Sequence, residues 1–396
     1  MSINGIYDTG LVRVEANSQG QAAYTDAYGV ETRFGAMGSH LFKHSLLDLN
    51  YRGAFRHYDR KTYYDGFDNH LMLSFMHQLS ARTEFTVSET GSRTTRGFGF
   101  PFGNFLPGGM GGYDPMYSGI ASNDIFDVPT LASITSASLV HQQTARFSYG
   151  IGGSGFVARR SSNHLVGMQG FSGGGNAGYR LSRYQTVAIA YSYSRYSFQR
   201  SYGQSDLQGV SVDYSVRLGP RWELALLGGG YRVESQRLIL VQLDPLVAQI
   251  LGQTTGAEAF HSVRYAPRFS GHLSRSFRRS TASISYDRTV TPGNGIYLTS
   301  GYDRASGGFS YSGFRKLSLD VSTSANRYRA FTQNLGTYWS YWGSAGFGYK
   351  VARSFSIVAH ADARRYNIAS SIYNHVIYRG VLGVAWSPGD YPVALW

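Results

Sequence analysis

Apolar and polar residues alternate with period two along most of the chain. In RKLSLDVSTSANRYRAF, residues 315–331, Leu317, Leu319, Val321, Thr323 and Ala325 fall on one face, and Ser318, Asp320, Ser322, Ser324 and Asn326 on the other. Such alternation predicts a β-strand with two unlike faces. LLDLNYRGAFRHY (46–58), GVSVDYSVRL (209–218), TASISYDR (281–288) and SFSIVAHADAR (354–364) repeat it. Helical periodicity is nearly absent, apart from a short segment within 236–258.

The links between strands are of two kinds. Eight are short and alike, among them HLFKHS (40–45), HQLSART (77–83), RLGPRW (217–222) and KVARSF (350–355), and a new strand starts directly after each. They read as tight hairpins. Between them lie longer, variable links, the longest being 92–131. Eight hairpins, one strand before the first and one after the last predict about 18 antiparallel strands of about 10–12 residues, the length that crosses a bilayer at a tilt. No change of composition marks a boundary, so residues 1–396 read as a single all-β domain with a tail at 387–396.

What the apolar faces meet follows from size. A closed sheet of about 18 strands has an interior too wide for side chains to fill. Propeller blades and sandwiches use shorter strands and closer turns. Alternating short turns and long loops instead fit a transmembrane up-and-down barrel, apolar side towards lipid and polar side towards the lumen. Trp222, Tyr231, Trp339, Phe347, Tyr378 and Trp386 lie towards strand ends and predict two aromatic girdles. Cross-strand pairing inside a soluble sheet is the other explanation for such aromatics.

Composition agrees. Charged residues are 15% of the chain, against ~25% in soluble domains, while Gly (49) and Tyr (31) are abundant. The absence of cysteine rules out disulfides and thiolate metal sites. The net charge of +13 comes from scattered arginines without a basic stripe, which argues against nucleic-acid binding. No apolar run is long enough for a membrane-spanning helix. The amino terminus, MSINGIYDTG, lacks the basic and apolar regions of a signal peptide, so the sequence reads as a mature form.

With this pattern the chain resembles the outer-membrane β-barrel superfamily of Gram-negative bacteria, its porin-like members most of all. The resemblance spans nearly the whole chain. Its most specific local feature is the carboxy terminus VLGVAWSPGDYPVALW. Members of the superfamily end in an aromatic residue on the last strand, read by the barrel-assembly machinery, which makes Trp386 or Trp396 the expected assembly signal. The resemblance implies an outer-membrane location, a cleaved signal peptide and lipid as the surrounding medium.

Candidate chemistry is sparse. His360 and Asp362 share a predicted inner face, but no nucleophile can be placed beside them. Asp124 and Asp127 lack EF-hand spacing, and the glycine-rich stretches lack the Lys-Ser/Thr of a phosphate loop. No enzyme activity, cofactor or metal is therefore expected. Passage of a solute is the reading left. Arg52, Arg56, Arg217, Arg264, Arg268, His272, Arg364 and Arg379 are expected to line the lumen. Asp48, Asp213, Asp287, Asp320 and Asp362 fall on the same face. Excess arginine would favour anions; pairing of these charges to hold the wall is the competing role. Residues 92–131, carrying Phe98, Phe100, Phe102 and Phe105, are the expected gate. Export of a polymer such as an exopolysaccharide, or a blocked adhesive barrel, remain alternatives.

Overall fold

The computed structural model describes residues 1–12, 24–60, 65–95, 129–161, 165–242, 244–293, 298–331, 336–367 and 376–387. Eighteen strands form one sheet. The first six are β1 (Ser2–Val12), β2 (Tyr24–Leu41), β3 (Ser45–Tyr58), β4 (Gly66–Ser80), β5 (Thr83–Thr94) and β6 (Thr130–Gln142). Next come β7 (Phe147–Arg160), β8 (Gly167–Ser182), β9 (Gln185–Gln199), β10 (Gly203–Arg217), β11 (Trp222–Gln242) and β12 (Thr255–Ser276). The last are β13 (Ser280–Thr291), β14 (Ser300–Tyr311), β15 (Leu317–Ala330), β16 (Thr337–Lys350), β17 (Phe355–Asn367) and β18 (Val376–Trp386). Each strand pairs antiparallel with its sequence neighbours, and β1 pairs with β18 from Ser2↔Ala385 to Asp8↔Arg379. The sheet is therefore closed and has no free edge at the seam.

The eight short connections predicted from sequence join even-numbered strands to the odd ones that follow, all at one end of the barrel. The strands are longer than expected, 11 to 22 residues. The extra length lies at the other end, where the strands run on past the apolar belt. The extreme case is the β11–β12 hairpin. Pairing of β12 with β13 stops at Phe269↔Arg288, whereas its pairing with β11 runs on to Gln242↔Thr255. This hairpin therefore projects beyond the wall. Its tip holds the one short helix of the described residues, α1 (Pro245–Leu251). The Asp244 side chain accepts a bond from the Leu246 N–H at 2.9 Å, and Gly252 closes the helix at φ 65°.

Register fixes the faces. Leu317, Leu319, Val321, Thr323 and Ala325 of β15 point outward, with Asp320, Ser322, Ser324 and Asn326 inward opposite Gly346, Ser344, Trp342 and Ser340 of β16. Around the barrel the outward apolar residues are bare: Ile151 is 63% exposed, Ile284 67% and Leu382 64%. A continuous apolar surface of this extent is not tolerated in water. The architecture is that of an outer-membrane barrel, apolar outside and polar inside. Trp222, Trp339, Phe347, Tyr378 and Trp386 lie on the outward face. Tyr231 does not. It is 4% exposed and points inward, where its ring lies over Gly209 so closely that a Cβ there would come within 2.7 Å of it. The partner glycine makes the inward room that local alternation alone does not reveal.

Candidate functional site: the lumen

The inner surface is built in three parts. The first is a ladder of small hydroxyls. Ser74, Ser88, Ser136, Ser154, Ser172 and Ser194 are direct partners on six consecutive strands, β4 to β9. Ser88 and Ser136 bond each other at 2.6 Å, as do Ser154 and Ser172 at 2.7 Å. On the far wall Ser285, Ser306 and Ser324 repeat the arrangement over β13 to β15. Serine suits this place because it keeps the bore wide and presents hydroxyls that both donate and accept.

The second part is a buried charge cage at the seam. Arg379 of β18 donates to Glu31 of β2 at 2.7 Å and lies 3.9 Å from Asp8 of β1. Arg56 of β3 sits 3.6 Å from Glu31 and also pairs with Asp68 of β4. The Tyr58 hydroxyl donates to Asp8 at 2.6 Å, and the Thr95 hydroxyl to Asp68 at 2.7 Å. The cage ties together the five strands flanking the closure, and its members are almost wholly buried. Removing one partner from such a set leaves an uncompensated buried charge.

The third part narrows the loop end. Ile134, Phe156, Met168, Phe198, Leu207 and Val233 point inward there and form an apolar cluster. Leu298, just before β14, and Phe331, just after β15, pack against it. Thr299 bonds Ser205 of β10 at 2.5 Å, and the Tyr231 hydroxyl reaches Thr289 of β13 at 3.3 Å. The two walls are thus bridged within the barrel. Beside this cluster Tyr302, Tyr328, Tyr338 and Tyr366 pack ring against ring in a row over β14 to β17. At the short-turn end, by contrast, inward residues such as Met37 are open, at 77% exposure.

The residues expected to line the lumen divide accordingly. Arg56 and Arg379 face inward but belong to the cage. Arg217 lies at the short-turn rim with Glu223, 3.0 Å away. Arg364 is buried and donates to the Tyr366 hydroxyl at 2.9 Å. Arg268 lies 5.4 Å from the centre of the Tyr231 ring. Arg264 sits on the projecting hairpin, five residues beyond the last residue of β12 that pairs with β13. Arg52, His272, Asp48, Asp213 and Asp320 lie on inward faces. Asp287 accepts from Ser270 at 2.6 Å. His360 and Asp362 are 3.0 Å apart, while the hydroxyls of Ser322 and Ser344 beside them bond each other at 2.7 Å. Phe98, Phe100, Phe102, Phe105, Asp124, Asp127 and Trp396 lie outside the described residues. Trp386 ends β18, and its backbone exchanges bonds with Met1.

Sequence reading missed Arg160. It points inward at the loop end of β7 and is 5% exposed. One nitrogen donates to the Val166 carbonyl at 2.5 Å. Its Nε and second terminal nitrogen have no partner, and no carboxylate pairs with it among the described residues. Tyr328, eight strands away along the sheet, is close enough to couple to it electrostatically. Nothing in the local pattern VARRSS marks this residue, because its surroundings come from distant strands.

No family model matches the chain. No curated protein matches it either. Among solved structures, a BenF-like porin from Pseudomonas fluorescens Pf-5 is 12% identical over 96% of each chain, with a TM-score of 0.48. Pseudomonas aeruginosa OccK2 (OpdF) in complex with glucuronate is 11% identical, covering 97% of this chain and 96% of that one, with a TM-score of 0.48. The ferric citrate transporter FecA in its unliganded form is 10% identical over 98% of this chain and 64% of its own, with a TM-score of 0.49. Likeness at this level transfers no residue role.

Proposed function

We propose that the chain is an outer-membrane channel passing small polar solutes, anions in preference, through a lumen restricted on its loop side. The observation that carries this reading is the sorting of the wall. A closed barrel of 18 strands presents apolar side chains outward and hydroxyls and charges inward, and a barrel of that size holds an aqueous path. The anion preference rests on Arg160. A buried guanidinium with free donors and no carboxylate paired with it among the described residues attracts an anion entering the constriction. Arg52 adds positive charge to the open part of the bore. The seam cage contributes little: with Arg33, which also pairs with Glu31, it holds three arginines against three carboxylates. Trp386, at the end of the closing strand, is the proposed signal to the assembly machinery.

The test is swelling of vesicles that contain the refolded protein, in isotonic small neutral polyols and in salts of small organic acids. Swelling in both, faster in the organic-acid salts than in polyols of equal size, supports the reading. Inserted protein that passes neither points to a blocked, adhesive barrel.

A further inference from the structure

The outer wall carries a charge asymmetry that solute passage does not use. At the loop-side margin of the apolar belt, Arg288, Asp303, Arg327 and Trp339 form one cross-strand row over β13 to β16. Arg329 stands one outward position above Arg327, and Arg365 of β17 pairs with Tyr341 in the row below. Four arginines face one carboxylate, Asp303, which lies 3.4 Å from Arg288. Arg327 stacks over Trp339, 5.1 Å from the ring centre, and its Nε makes no hydrogen bond. Arg329 and Arg365 are exposed and have no acid partner among the described residues. Elsewhere at this level, Arg195 is matched by Asp206 at 3.7 Å and Arg232 by Glu234. Arg93 and Arg159 flank Leu131, but the Glu89 carboxylate lies below them on the same face.

Directly beneath the arginines the wall is flat. Ala305 and Gly307 of β14 and Ala325 and Thr323 of β15 occupy the next two outward positions, between Tyr286 of β13 and Tyr341 of β16, and Gly343 and Ala363 extend the bed below Tyr341 and Arg365. A basic rim two strands wide, roughly 10 Å between Arg288 and Arg327, thus stands over a shallow apolar bed.

We propose that this sector of β13–β17 binds a phosphorylated, multiply acylated lipid of the outer leaflet. Its phosphate is held by Arg327, Arg329 and Arg365, and its acyl chains lie on the small-residue bed. Guanidinium forks suit phosphate oxygens. Trp339 and Tyr341, stacked at 6.1 Å, fix the headgroup level. The inference rests on the outer wall meeting lipid, and not on the channel being open.

Native mass spectrometry of the whole barrel in non-ionic detergent tests it, with bisphosphorylated lipid A and its dephosphorylated counterpart as probes. Wild type should retain the phosphorylated lipid, and R327Q/R329Q/R365Q should lose about tenfold in affinity. A variant with the same charge loss at the short turns, R146Q/R183Q/R221Q, should bind like wild type. Equal retention of both lipids, or equal loss in both triple variants, overturns the proposal. So does displacement by excess inorganic phosphate, which would make the site one for a soluble anion. Flotation of the same preparations with phosphatidylcholine vesicles reports insertion separately. A barrel that floats without discriminating loses the lipid site alone, and one that does not float loses the membrane reading too.

Discussion

Val321 stands at the centre of the outward row of β15, between Leu319 and Thr323, and is 51% exposed. Its replacement by Arg separates the two media the outer wall could meet. In water, a charge at a half-exposed strand position changes stability by about 0.5 kcal/mol or less. At the midplane of a bilayer the same change costs about 2–4 kcal/mol in a transmembrane barrel, or about 30- to 1,000-fold in the folding equilibrium. Arg327, three outward positions along the strand, marks the margin of the belt, where the cost of a charge falls to about 0–1 kcal/mol. Ala325→Arg should therefore cost clearly less than Val321→Arg. The assay is equilibrium denaturant unfolding of protein folded into phospholipid vesicles, followed by tryptophan fluorescence. Equal values for the two variants, both within about 0.5 kcal/mol of wild type, would refute the assignment of this face to lipid.

Three further outcomes follow from the lumen. Arg379→Ala should destabilise the barrel by about 3–5 kcal/mol, since it removes the buried arginine shared by Glu31 and Asp8 and leaves Glu31 to Arg56 and Arg33; vesicle unfolding reads this, and a loss under 1 kcal/mol would show the cage to be hydrated. Leu298→Ala with Phe331→Ala should raise single-channel conductance, because both side chains pack into the constriction; unchanged conductance would place the narrowest point elsewhere. Arg160→Ala should shift the reversal potential in a salt gradient towards cations while leaving insertion intact, and an unmoved potential removes Arg160 from selectivity.

Much of the wall can be read from single strands. Period-two alternation in β15 assigns Val321 outward and Asp320 inward without any partner, because a strand has only two faces and one of them is strongly apolar. The short turns fix strand number, and an even count leaves β1 and β18 antiparallel, as their pairing at the seam requires. The lumen's interior is another matter. Arg56 and Arg379 are legible as inward, yet their pairing with Glu31 depends on strands more than 300 residues apart in sequence for the Arg379 contact. Tyr231 looks like a girdle residue until Gly209 is seen opposite it. The apolar cluster around Phe156 and Leu207 breaks the rule that inward residues are polar. It does so only where Leu298 and Phe331 reach across to cover it, a tertiary event with no local signature. Arg160 belongs to the same class.

The central claim is that a polar lumen runs through a lipid-facing barrel and conducts. It is tested most directly by reconstituting the refolded chain in a planar bilayer with a salt gradient across it. Discrete, stable current steps with a reversal potential on the anion side are the result this account predicts. Protein shown to be inserted and folded, but carrying no current at any voltage, would contradict it.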